Sequence, residues 1–235
     1  IDMLSAARDV YDKTNGALDL STYPLSKLWG FINLDTTGQG YVPTQAEIDA
    51  CLAKLCFDKM TVNGQSVTIP DGSELGFGAV AKGYASDAVM AAMKAAGVDS
   101  AVVSLGGNVQ TLGAKPGGGS WNVAVEDPSD TSKNVGVLAV GETAVITSGS
   151  YQRFFTQDGK TYHHILDPRT GYPADSGLLS VTIVCTSGVK ADCLSTAMFV
   201  LGKDAALRYW RDNGGFEMLM IAADGGIFCT SGLQG

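Results

Sequence analysis

The chain has 235 residues, 45% hydrophobic and 17% charged, enough for one large domain or two small ones and unlike a disordered chain. Sixteen basic against 24 acidic residues give a net charge of −8. That balance argues against a generic nucleic-acid or anionic-membrane surface, so an anionic ligand needs a local cationic patch or a metal ion.

In chain order, Met3, Leu4, Ala7, Val10 and Tyr11 recur at helical spacing, and Thr14-Asn15-Gly16 ends that helix. A loop with Pro24 is expected to lead to Leu28-Trp29-Gly30-Phe31. A second helix is expected after Pro43-Thr44, running to about Lys54, and a hairpin over Val62 to Ile69 around Asn63-Gly64. The stretch from Leu75 to Tyr84 is glycine-rich and opens a helix that reaches about Ala96. Ala101 to Leu105 reads as a buried strand turned by Gly106-Gly107-Asn108. Residues Lys115 to Ser120 read as a hairpin loop, with strands at Trp121 to Val125 and Gly136 to Val140. Leu178 to Cys185 is another strand, Lys190 to Asn213 one long helix, and Met218 to Phe228 a closing hairpin across Asp224-Gly225-Gly226. Strands and helices mix without strict βαβ alternation, which gives an α+β class.

The five cysteines (Cys51, Cys56, Cys185, Cys193, Cys229) lack metal-binding spacing, and their odd number leaves at least one unpaired. Buried thiols are expected. No apolar run approaches the roughly 20 residues of a membrane span. The chain begins at Ile1 inside a helical pattern, as expected of a processed or trimmed product, and any anchor or targeting segment would have gone with the missing start.

Several polar constellations carry chemistry. The only two histidines, His163 and His164, stand together and are followed by Asp167, Pro168, Arg169, Thr170 and Gly171. A proton carrier, a carboxylate and a guanidinium so close suit a phosphate-bearing substrate. The same residues also suit a strand ending in a turn with solvated side chains. Asp192 and Thr196, four apart on a helix, offer two hard oxygens on one face for Mg²⁺, or form an ordinary first helical turn. The loop Gly76 to Gly83 could receive phosphate on helix-start amides beside Lys82, or could be a tight strand-to-helix turn. Ser104 to Asn108 and Thr147 to Ser150 are turns that could also approach a ligand.

Taken together and in order, these pieces resemble one family, the ApbE family of FAD:protein FMN transferases. The resemblance rests on Asn15 to Asp19, Leu28 to Phe31, Gly78 to Asp87, Val103 to Asn108, Trp121 to Pro128, Ile146 to Tyr151, His164 to Gly171 and Ala191 to Ala197. It implies a single ApbE-type, T-fold-like domain over residues 1–235, of mixed sheets packed with helices and lacking the family's usual N-terminal segment. It also implies a Mg²⁺-dependent enzyme that splits FAD, attaches FMN to a threonine or serine of a partner protein and releases AMP. By the family pattern Asp192, Thr196 and the Ala79 carbonyl would hold Mg²⁺, and His164 would be the active-site histidine. Contacts to FAD would map to Ala17, Leu18, Asp19, Lys82 and Leu166. Thr147, Ser148, Gly106, Gly107 and Asn108 would line the same cleft. Gly76 stands where the family commonly has an aspartate, which puts one flavin-side hydrogen bond in doubt.

The implied partner is an acceptor protein with a flavinylation motif, such as a redox or membrane electron-transfer subunit, and no nucleic acid. The implied location is the outer face of the cytoplasmic membrane. Hydrolysis of FAD to FMN and AMP, or FAD binding without catalysis, remain alternatives on the same residues.

Overall fold

A computed structural model describes residues 1–34 and 39–234. Helix α1 (Asp2–Lys13) buries Leu4, Ala7 and Val10, one stripe at helical spacing. It stops where Asn15 and Gly16 take positive φ and the Gly16 N–H closes on the Tyr11 carbonyl at 2.9 Å. Pro24, expected in a loop, sits instead in the first turn of α2 (Tyr23–Leu28), where its missing N–H is no loss. Helix α3 (Gln45–Leu52) starts at the expected Thr44, which forms a capping box with Glu47. Strands β1 (Thr61–Asn63) and β2 (Ser66–Thr68) make the expected hairpin, and α4 (Ala81–Ala95) follows the glycine-rich loop.

The centre is one antiparallel sheet of six strands: β3 (Ala101–Leu105), β4 (Asn108–Leu112), β7 (Ala144–Gly149), β10 (Leu178–Cys185), β11 (Glu217–Ala222) and β12 (Ile227–Cys229). Their spatial order is β12-β11-β10-β7-β4-β3. Two ribbons stand apart, β5 (Trp121–Asp127) with β6 (Asp130–Val140), and β8 (Phe154–Gln157) with β9 (Lys160–His163).

Side chains alternate between the two faces of the sheet. On one face Ala144, Ile146, Val181, Ile183, Met218 and Met220 join α1, α5 (Gly188–Leu201) and α6 (Lys203–Asn213) in the main core. On the other, Val145, Leu219 and Ile221 meet the β5–β6 ribbon at Val123, Val140 and Val125. Ten of the 14 residues of α5 are buried, so it is the central helix and its polar side chains need internal partners. A satellite core surrounds Trp29, which touches Phe31, Phe155, Tyr162 and Tyr172.

Three further expectations change. The strand Ala101 to Leu105 is not buried: it is the edge of the sheet, with Val102 47% exposed. The loop over residues 115–120 joins no hairpin, because β4 belongs to the main sheet and β5 pairs with β6. The single helix expected over Lys190 to Asn213 is two, broken at Gly202 with φ +76°. All five cysteines are free thiols. Among the described residues no helix is long and apolar enough to cross a membrane.

Candidate active site

Helices α4 and α5 cross at their first turns, through two glycines. A Cβ on Gly83 would stand 2.2 Å from the Gly188 carbonyl oxygen, and one on Gly188 would stand 2.8 Å from the Gly83 oxygen. That closeness lets each helix cap the other. Asp192 of α5 accepts the Gly83 N–H at 2.8 Å, at the start of α4. Asp87 of α4 accepts the Gly188 and Val189 N–H groups at 2.8 and 2.9 Å, at the start of α5. Neither helix start depends on its own side chains alone: α4 has no side-chain cap from Val80, and α5 has only Ser187, which accepts from Lys190.

Gly83 is the third residue of α4, so its N–H is one of the first four that no carbonyl of the helix accepts, and Asp192 takes it. Asp192 is 4% exposed, and no salt bridge among the described residues reaches it. Burial raises its pKa, opposed by the Gly83 N–H, by Asn108 and by the nearby charge of Lys82. Asn108 is 1% exposed and close enough to favour the carboxylate, yet neither of its amide atoms completes a hydrogen bond. Such a group needs a further partner.

One turn along α5, Ser195 donates to the Asp192 carbonyl at 2.9 Å and lies 2.8 Å from Ser148 Oγ. Thr196 Oγ1 lies 3.3 Å from the same Ser148 oxygen. With Ser148 donating to Ser195, Thr196 donates to Ser148, and that chain leaves the Thr196 lone pairs unclaimed. No cluster of three His, Cys, Asp or Glu side chains stands among the described residues. A cation here would therefore rest on one carboxylate with carbonyl and hydroxyl oxygens, and that hard-oxygen set fits Mg²⁺.

Lys82 ties this cluster to the other motifs. Its Nζ lies 3.4 Å from the Gly106 carbonyl, in the two-residue turn between β3 and β4 where Gly106 and Gly107 both take positive φ. Its charge also acts on His164. His164 follows the end of β9 and turns back, so that its N–H and its Nδ1 both meet the Arg153 carbonyl, at 3.0 and 3.1 Å. A carbonyl only accepts, which places the ring proton on Nδ1 and leaves Nε2 as the basic nitrogen. Burial, reinforced by the Arg153, His163 and Lys82 charges, pushes the His164 pKa down to about 4 against the pull of that carbonyl. His163 goes elsewhere: its ring packs edge-on against Phe199 at 5.4 Å, with Nε2 3.2 Å from the Ala174 carbonyl.

Other predicted residues are placed differently. Thr147 points to the face opposite Ser148, and its hydroxyl pairs with Thr182 at 2.8 Å. The Leu166 side chain belongs to the Trp29 core, and Ala17 and Leu18 belong to the main core, so they could meet a ligand only through backbone. Asp19 caps a 3₁₀ turn, accepting from Ser21 N–H and Oγ at 2.7 and 2.5 Å. Arg169 is bound bidentately by Asp167 at 2.8 and 2.7 Å, and Asp167 is buried, so this turn is held from within rather than carrying solvated side chains. Gly76 has its own local reason: a Cβ there would meet the Tyr23 ring at 2.9 Å. Asp87 and the glycine pair were not among the predicted site residues. A signal for them exists in Gly83-x-x-x-Asp87 and Gly188-x-x-x-Asp192, the same spacing on both helices.

Comparison with known proteins shows the family and the fold. The model of the ApbE family matches residues 1–220. The chain is 34% identical over 248 residues to the FAD:protein FMN transferase of Treponema pallidum, covering 98% of this chain and 67% of that protein. Among solved structures it is similar to the ApbE protein of Thermotoga maritima, with a TM-score of 0.90 and 34% identity over 98% of this chain and 75% of that one. The flavin transferase ApbE from Vibrio cholerae gives 0.85 and 30% over 99% and 74%. The chain thus spans about two thirds of the length of the curated relatives it matches.

Proposed function

The chain belongs to the ApbE family, and from that premise we propose that it transfers FMN from FAD to a hydroxyl of an acceptor protein, releasing AMP. The observation that carries this reading is the buried Asp192 carboxylate at the α4–α5 crossing, with Thr196 one turn further along α5 and the Lys82 charge nearby. Asp192, Thr196 and the Ala79 carbonyl would hold Mg²⁺. When bound, the ion supplies neutralisation of the diphosphate and of the departing AMP.

The chain's own residues supply the rest. Lys82 and the glycine turn after β3 line the approach, where a cation and a backbone without Cβ atoms let a diphosphate come close. A threonine or serine hydroxyl of the acceptor attacks the phosphorus on the flavin side. The P–O bond to AMP breaks, AMP leaves with the electron pair, and an FMN phosphoester remains on the protein. His164 takes the hydroxyl proton on Nε2, since Nδ1–H is committed to Arg153.

The test is incubation with FAD, Mg²⁺ and an acceptor bearing a flavinylation motif, followed by a denaturing gel. A fluorescent acceptor band with equimolar AMP is expected. FMN and AMP without labelled acceptor would make the protein a hydrolase, and FAD binding without AMP would make it a binding module.

The histidines give a further prediction. His164→Ala should cut kcat by roughly 10²- to 10⁴-fold, the usual worth of a general base. His163→Ala should leave transfer nearly intact but destabilise the fold by about 1–2 kcal/mol through lost ring packing and its carbonyl contact. The sign of the pH effect follows from the His164 pKa near 4, below an ordinary histidine near 6.5. Its contribution to stability is full above about pH 6.5 and is lost as the pH falls toward 4. For the same reason log kcat/KM should stay level down to about pH 5. An acid limb centred near 6.5, or equal effects of the two substitutions on kcat, would remove His164 from this role.

A further inference from the structure

Asp87 answers Asp192 across the helix crossing, and nothing in the proposed chemistry uses it. Its carboxylate collects four donors: Gly188 N–H at 2.8 Å, Val189 N–H at 2.9 Å, Gln110 Nε2 at 2.9 Å and Ser187 Oγ at 3.4 Å. Three come from the start of α5 and one from β4, so Asp87 ties α4, α5 and the sheet at one point. The opposing glycines leave no slack there, since a Cβ on Gly188 would meet Asp87 Oδ1, the Gly83 oxygen and Ser86 Oγ, each at 2.8 Å. Asp192 stands four residues beyond Gly188 and Thr196 eight, one and two turns along a helix whose first turn Asp87 holds.

We infer that Asp87 is a positioning residue for the divalent-cation site: by fixing the start of α5 against α4 it sets where Asp192 and Thr196 stand relative to the Ala79 carbonyl. The inference rests on reading Asp192, Thr196 and Ala79 as the cation's ligands. Residues that orient metal ligands typically change metal affinity by 10- to 100-fold when altered. Asp87→Asn keeps shape and one accepting oxygen, but its NH₂ faces the Val189 N–H, donor against donor, and the Ser187 hydroxyl loses its carboxylate acceptor.

The test reads binding without turnover. The metal-free protein is titrated with Mn²⁺ alone and free Mn²⁺ is followed by electron paramagnetic resonance, with circular dichroism recorded on the same samples. Asp87→Asn should bind Mn²⁺ about tenfold or more weakly while its spectrum stays that of the parent. Gln110→Met removes one donor and also the unpartnered Gln110 oxygen, so it should fold well and weaken binding in the same direction by less. Asp192→Asn is the reference. If it abolishes Mn²⁺ binding while Asp87→Asn and Gln110→Met bind like the parent, the ligand reading stands and the positioning role is overturned. If Asp192→Asn itself binds Mn²⁺ normally, the ligand assignment falls and the inference with it. A lower Tm for Asp87→Asn with unchanged Mn²⁺ affinity would make Asp87 a helix cap and no more.

Discussion

Asp192→Asn should abolish flavin transfer and leave the protein folded, with a Tm at or above that of the parent. The two halves of this result have one cause. Asp192 is 4% exposed and burial raises its pKa, so the folded state holds its charge at a cost. A carboxyl whose pKa rises on folding stabilises below its unfolded pKa and loses that contribution as the pH climbs through the folded one. At neutral pH the charge therefore opposes folding, and an amide of the same shape removes the opposition while its oxygen still accepts from the Gly83 N–H. The same change removes the one anionic ligand in the proposed cation site. A Lewis-acid contribution of several kcal/mol, at 1.36 kcal/mol per factor of ten, puts the loss at about 10²-fold or more. FAD binding should also lose its dependence on added Mg²⁺. Parallel thermal melts and single-turnover transfer assays decide the matter. A variant that melts several degrees lower and transfers normally would make Asp192 a structural cap.

Much of this architecture is legible in the sequence, wherever the signal is local. The α1 stripe, the Thr44–Glu47 box and the turns at Asn63-Gly64 and Asp224-Gly225-Gly226 depend on neighbours a few residues apart, and the structure keeps them. What the sequence hides depends on distant partners. An apolar run such as Ala101 to Leu105 looks alike at the centre or the edge of a sheet, because only the neighbouring strands decide its exposure. The break at Gly202 is masked because apolar residues stand at helical spacing on either side of it, as at Leu201 and Ala205, so periodicity alone runs two helices together.

The candidate site divides in the same way. Asp192 and Thr196 share a face because four residues make about one turn, and His164 separates from His163 because β9 ends between them. Thr147 and Ser148 are adjacent in sequence, yet only the register of β7 on β10 and the position of α5 show that Ser148 alone faces the helix. The Asp167–Arg169 pair is the opposite case. Its charges suggest phosphate chemistry, but two residues across a turn can satisfy each other, and here they do.

Gly83→Ala should damage both fold and function, unlike replacement of a glycine that has ordinary φ and open space around it. Alanine is the better helix former by about 1 kcal/mol, so propensity alone would favour the change. Packing overrides it. The new carbon would lie 2.2 Å from the Gly188 oxygen, 2.6 Å from its carbonyl carbon and 2.7 Å from Asp192 Cβ. Two of these are backbone and the third is the root of a buried side chain, so relief comes only by separating α4 from α5. Overpacking of this kind costs about 1–3 kcal/mol or more, and at roughly 2–4 °C per kcal/mol for a chain of this size Tm should fall by about 5 °C or more. Separation also draws the Gly83 N–H from Asp192 and the Asp87 carboxylate from the start of α5, so transfer should drop even below the melting transition. Gly136→Ala is the control: its added carbon meets nothing within 4 Å, and Tm should hold or rise slightly. The comparison requires melting curves of both variants with transfer rates taken at least 15 °C below the lower midpoint. If Gly83→Ala matches Gly136→Ala in both measurements, the two helices are not locked at this crossing, and the reciprocal capping by Asp192 and Asp87 does not govern the site.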